Sequence, residues 1–106
     1  MKRTSERRQE IRERVSTPVL YRLSERTLLQ NSYDISAGGI SVMCPYRPDV
    51  GSSINLRFTH PRHGSYIHAD GRVVYVFPTR PDNSSNRLGI RFSQVTQPAL
   101  AEIFSS

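Results

Sequence analysis

The run Ile54-Asn55-Leu56-Arg57-Phe58 alternates apolar and polar side chains without a break. A period of two puts successive side chains on opposite faces of an extended strand, so this segment has one buried face and one wet one. Looser versions of the pattern recur in Thr17–Leu23, Arg26–Tyr33, Ile40–Cys44, Tyr66–Phe77 and Arg87–Phe92. In Ile40–Cys44, Ile40, Val42 and Cys44 face one way and Ser41 and Met43 the other. Turn-forming residues separate the runs: Ser24-Glu25, Asp34–Gly39, Pro45 to Gly51, Pro61–Gly64 and Pro78 to Asn86. Gly71 is the expected site of a bulge in the longest run. Five or six short strands at roughly 8–12-residue spacing argue for a small antiparallel barrel. At 106 residues the chain holds one such domain. The five tyrosines and four phenylalanines fall mostly at inward-looking alternations.

Two ends flank this strand-rich region. Residues 1–14 form a polar arm with six basic side chains, Lys2, Arg3, Arg7, Arg8, Arg12 and Arg14, against Glu6, Glu10 and Glu13. The arm has little to bury and is expected to be flexible until its arginines are neutralised. Residues 15–106 form the barrel domain. After Pro98, Leu100, Ile103 and Phe104 share one helical face, which predicts a short C-terminal helix capping the barrel.

The formal net charge is +6, and Lys2 is the only lysine among 15 basic residues. Arginine presents a planar fork of donors that matches phosphate, carboxylate or a guanine edge. Cys44 is the single cysteine, which excludes an intrachain disulfide and a thiolate metal cage. No apolar run approaches the roughly 20 residues that cross a bilayer. The charged start is not followed by an apolar stretch, so a signal peptide is not expected. The simplest expectation is a cytoplasmic protein without membrane contact. His60, His63 and His68 have no carboxylate or thiol at supporting spacing, so no metal site is expected. No Ser-His-Asp or paired-carboxylate arrangement is discernible, which argues against an enzyme and a catalytic cofactor.

The chemistry concentrates in Asp34-Ile35-Ser36-Ala37-Gly38-Gly39 and in Arg8-Gln9-Glu10-Ile11-Arg12. An ionised carboxylate is the natural bidentate acceptor for the adjacent N1–H and N2–H₂ donors of guanine. Asp34 supplies one and the Ser36 hydroxyl adds a hydrogen bond. Gly38 and Gly39 allow positive φ and close backbone approach. Arg8 and Arg12, four apart, share one side of the arm whether it is helical or extended. A hydrogen-bonded turn and a solvated arm would explain either segment taken alone.

Together these segments resemble the PilZ domain family. The likeness rests on the Arg-x-x-x-Arg pair Arg8/Arg12 and on Asp34-x-Ser36-x-x-Gly39. It extends to Gly71-Arg72-Val73-Val74-Tyr75 and Leu88-Gly89-Ile90-Arg91-Phe92, and covers about Arg7 to Phe104. Arg3 and Arg7 are also four apart, but Arg12 stands seven residues before Val19, the spacing the family tends to show. The resemblance implies a six-stranded antiparallel β-barrel, all-β apart from its C-terminal helix, that binds cyclic di-GMP. It implies that the arm wraps over the ligand while the Asp-Ser-Gly turn holds a guanine. Arg7 becomes a further phosphate contact, and Tyr75 a stacking surface where relatives carry tryptophan. The implied role is a sensor, monomeric or weakly dimeric, acting through a partner protein in motility, exopolysaccharide or biofilm control. Two other readings remain open. One is an interaction adaptor with a vestigial ligand site. The other is a basic barrel that binds single-stranded nucleic acid through stacking aromatics.

Overall fold

The computed structural model describes residues 11–97. Arg7, Arg8 and the expected helix over Ala99–Phe104 lie outside the described residues. Within them every regular element is a strand: β1 (Glu13–Arg14), β2 (Pro18–Leu23), β3 (Arg26–Ile35), β4 (Gly39–Cys44), β5 (Ser53–Thr59), β6 (Tyr66–Pro78) and β7 (Asn86–Gln97).

All neighbouring strands are antiparallel. The order β3-β2-β5-β6-β7-β4 closes on itself because β4 also pairs with β3, so six strands make a barrel. β1 is an added strand on β3, with Glu13 opposite Ile35 and Arg14 opposite Asp34. The last residues of the basic arm are therefore part of the sheet.

Alternation builds the core. Val19, Tyr21 and Leu23 of β2 face inward with Ile54, Leu56 and Phe58 of β5. Ile40, Val42 and Cys44 of β4, Ile67, Ala69 and Val73 of β6, and Leu88 and Ile90 of β7 complete it. Burying each large aliphatic or aromatic side chain is worth about 1.5–3 kcal/mol, so this interior is the main source of stability. Tyr21 is the one phenol inside. Its hydroxyl donates to the Met43 carbonyl oxygen at 2.9 Å, and burial pushes its ionisation far above the ordinary tyrosine range.

Two bulges change which face the later residues meet. In β3, Ser32 lies opposite Val42 but Asp34 lies opposite Ser41, so Tyr33 is an extra residue. Ser32 and Ile35 are both buried, and the extra residue turns Asp34 to the outer face. In β6, Val73 lies opposite Ile90 and Tyr75 opposite Gly89, with Val74 as the extra residue. Tyr75 is thereby turned outward while Val73 stays in the core. Two further irregularities have their extra residues in β7, Ser93 opposite the Asp70–Gly71 step and Thr96 opposite the His68–Ala69 step, so the bulge expected at Gly71 falls on its partner strand instead.

Three local expectations are corrected. Asp34 and Ile35 belong to β3, and the turn narrows to Ser36–Gly38. β7 runs past Phe92 to Gln97, because Gln94 and Val95 keep pairing with Asp70 and Ala69 after the apolar alternation ends. Backbone pairing does not need apolar side chains, so periodicity could not reveal it. The aromatic residues are also less buried than expected: Tyr33, Tyr46, Tyr66, Tyr75 and Phe77 are exposed, while Tyr21 and Phe58 face the core.

Candidate functional site: a carboxylate corner on the outer face

Cross-strand register assembles a row on the outside of the barrel. Arg14 faces Asp34, Asp34 faces Ser41, Ser41 faces Gly89, and Gly89 faces Tyr75. The row beneath it, Ile35, Ile40, Ile90 and Val73, points into the core. The candidate site therefore rests on a rigid apolar layer.

Asp34 is the centre of the row. Ser41 Oγ donates to its Oδ1 at 2.8 Å. Arg12 Nη2 lies 3.4 Å from the same oxygen, and Arg87 Nη2 lies 3.0 Å from Oδ2. Two guanidiniums and one hydroxyl thus hold a carboxylate that is nearly buried. The Ser41 and Arg87 bonds to the carboxylate contribute about 1.5–3 kcal/mol each, and the more exposed Arg12 pair about 1 kcal/mol or less. Arg12 also donates through Nη1 to Ser36 Oγ at 3.1 Å. One arginine fork therefore spans the Asp and Ser of the turn motif, from 24 residues upstream of Ser36.

The turn has a tight internal structure. Ser36 N donates to the Gly39 carbonyl oxygen at 2.8 Å, and Phe92 N donates to the Gly38 carbonyl oxygen at 2.9 Å. Ser36 is completely buried. The glycines act differently from the expectation. Positive φ occurs among the described residues at Ser24, Asn83, Gly51 and Gly64, not in this corner. Gly39 is needed for packing instead: a Cβ there would press into the Ile90 carbonyl oxygen. Gly89 serves Tyr75, whose ring occupies the space a Cβ would fill.

Sequence reasoning missed four contributors, Arg87, Arg14, Tyr33 and Ser41. Arg87 Cζ stands 3.9 Å from the centroid of the Tyr33 ring, and Arg14 Cζ stands 5.5 Å from it. Both lie within the roughly 6 Å of a cation–π contact. Ser41 was recognised as outward-facing but not as a partner of Asp34. The alternation Arg87-Leu88-Gly89-Ile90-Arg91 could have revealed Arg87, because it puts Arg87, Gly89 and Arg91 on one face. Nothing in a period of two marks Tyr33 as the bulge residue.

β1 is tied down on its other flank. Glu13 Oε1 lies 3.6 Å from Nε2 of the buried His60, and Glu13 Oε2 lies 3.6 Å from Arg62 Nη1. These contacts fix the residue next to Arg12. A cavity of ≈ 700 Å³ lies away from the corner, lined by Arg22, Ile54, Asn55, Asp70, Arg72 and Ser93 among others, and includes none of the candidate residues. Among the described residues no group of three or more His, Cys, Asp or Glu could hold a metal ion. No helix among them is long and apolar enough to cross a membrane.

A guanidinium, a carboxylate and a hydroxyl thus meet on the outer wall of a six-stranded barrel, a donor and acceptor set chemically suited to a polar ligand. The PilZ domain model matches residues 6–105, and the chain belongs to the PilZ domain family. The Bacillus subtilis inhibitor of motility MotI/DgrA has the same fold, with a TM-score of 0.73 at 24% identity over 90% of this chain. This chain spans 48% of that one. The PilZ domain of YcgR from Escherichia coli, solved with c-di-GMP, has a TM-score of 0.67 at 19% identity. That match covers 92% of this chain and 85% of the other. No curated protein matches the sequence.

Proposed function

We propose that this chain is a non-enzymatic receptor for cyclic di-GMP. The observation that carries the reading is the convergence of Arg12, Asp34 and Ser36 in one hydrogen-bonded corner. Family membership and the c-di-GMP in the YcgR structure support it. Asp34 accepts the N1–H and N2–H₂ of a guanine, and Ser36 adds a polar contact. Gly38 and Gly39 let the turn that carries Ser36 seat closely against β7 beside the ligand, and Tyr75 offers a flat aromatic face. Arg7 and Arg8 bring charge to the phosphates, and Arg12 grips a guanine edge or a phosphate.

Residues 1–14 act as the arm and residues 15–106 as the barrel on which it closes. Ordering the arm offsets part of the interaction energy and creates a changed surface. That surface is read by a downstream protein partner. The inhibitor-of-motility neighbour supports a role in motility, and exopolysaccharide and biofilm formation are related outputs. The receptor is cytoplasmic, acts away from membranes, and is a monomer or weak dimer.

Arg12→Ala should lower affinity for cyclic di-GMP at least tenfold, because it removes the guanidinium that grips a guanine edge or a phosphate. Asp34→Ala should abolish binding, with some loss of stability, since it strands Arg87 and Ser41. Equilibrium dialysis with labelled ligand checks both, and a variant that binds normally removes that residue from the site. Excess GMP or oligonucleotide should leave the bound ligand in place.

The exposed Tyr66 and Phe77 favour a second reading, a surface for single-stranded nucleic acid. Against it, the Tyr33 and Tyr46 rings are already faced by Arg87 and Arg26. That reading requires oligonucleotide to compete, with a steep salt dependence.

A further inference from the structure

We infer that Arg87 is a positioning residue for guanine recognition, one that holds Asp34 in place while Arg12 yields its seat. The inference rests on the receptor reading and deepens it. It starts from a count of lone pairs. A carboxylate offers about four acceptor sites, two on each oxygen. Among the described residues, Oδ1 of Asp34 already faces Ser41 and Arg12, and Oδ2 takes Arg87 alone. A guanine edge donates to both oxygens at once and so needs one open site on each. Oδ2 has one open, whereas Oδ1 has none until a donor leaves.

Arg12 is the donor that leaves. Its contact with Asp34 is 3.4 Å against 3.0 Å for Arg87, and its side chain is 42% exposed against 27%. Ser41 is completely buried and has no water to turn to. Arg87 is built into the wall. Its guanidinium packs on Tyr33 at 3.9 Å, and its Nε is enclosed. It projects from β7 two residues before Gly89, next to the row that ends at Tyr75. Once Arg12 releases, Arg87 is the cation that remains on a nearly buried carboxylate. It then fixes the plane in which Asp34 presents its two oxygens. Methionine at this position would keep much of the bulk but supply neither charge nor donor.

The test compares cyclic di-GMP with cyclic di-AMP, whose adenine lacks the paired donors that Asp34 reads. Affinities of wild type, Arg87→Met and Arg87→Lys are measured by calorimetry, with thermal unfolding as a fold control. Arg87→Met is expected to weaken cyclic di-GMP binding about tenfold and to shrink the preference over cyclic di-AMP. Arg87→Lys restores part of both, because it returns a charge and a donor without the planar fork. If Arg87→Met does not fold, Tyr33→Leu takes its place. Removing the stack should lower the guanine preference by a few-fold. Wild type that fails to bind overturns the receptor reading and this inference with it. Wild type that binds, with the folded variant keeping the same affinity and preference, overturns this inference alone. An equal loss for both ligands also overturns it, because that is what a merely structural side chain would give.

Discussion

His60 is a group that titrates near neutral pH, yet its side chain is fully buried. Burial lowers its proton affinity most, and the neighbouring His63 and Arg62 lower it further, while Glu13 pulls the other way. The folded protein therefore takes up a proton on His60 at lower pH than the unfolded chain does. Below about pH 6.5 the unfolded state binds that proton first, so His60 contributes stability at neutral pH that is lost on acidification. Urea unfolding at several pH values between about 7.5 and 5.5 should show falling stability. In His60→Gln the decline over that range should be shallower, and an unchanged slope would contradict the assignment. The same scale shows what side-chain chemistry made legible. Arg12, Asp34 and Ser36 were readable only together and through the family resemblance, since a plain turn or a solvated arm explains either segment alone. Arg87 was not, because an arginine on an exposed strand face has the same local signature whether it meets water or Asp34, 53 residues away.

At the scale of elements, the two bulges are decisive. Strict alternation from Ser32 would turn Asp34 into the core, where an ionised carboxylate is costly. The extra residue Tyr33 in β3 and the extra Val74 in β6 move Asp34 and Tyr75 to the outer face. Bulges depend on pairing between distant strands, so no local pattern announced these two. The glycine at Gly71 marked the right place but the wrong strand, since the extra residue there is Ser93 of β7. Hairpin β2–β3 was readable too, since Ser24-Glu25 interrupts two strand-like runs. Its turn carries a cost. Ser24 has a φ of 60°, a left-handed conformation that costs a non-glycine residue about 1–2 kcal/mol. Ser24→Gly should stabilise the protein by about 0.5–1 kcal/mol after glycine's own entropy loss. A rise in the thermal midpoint of a few degrees would check it, and a fall would show that the serine is not strained.

For the whole molecule, a small antiparallel barrel of five or six strands followed from the spacing of alternating segments and the size of the chain, and the number six from the family resemblance. The burial of its aromatic residues did not follow. Five of them stay outside: the Val74 bulge turns Tyr75 and Phe77 outward, Tyr33 is itself the bulge residue of β3, Tyr46 lies in the loop after β4, and Tyr66 falls on the wet face of plain alternation. The basic surplus of +6 is consistent with an anionic ligand, and it is most concentrated in the arm that ends at β1. A receptor of this design stands or falls on one titration. Isothermal calorimetry of cyclic di-GMP into the purified protein at moderate salt should give saturable binding at micromolar or tighter affinity. The Asp34→Ala variant should then give none. Heat indistinguishable from dilution at high ligand concentration, with the barrel intact by thermal unfolding, would contradict the account.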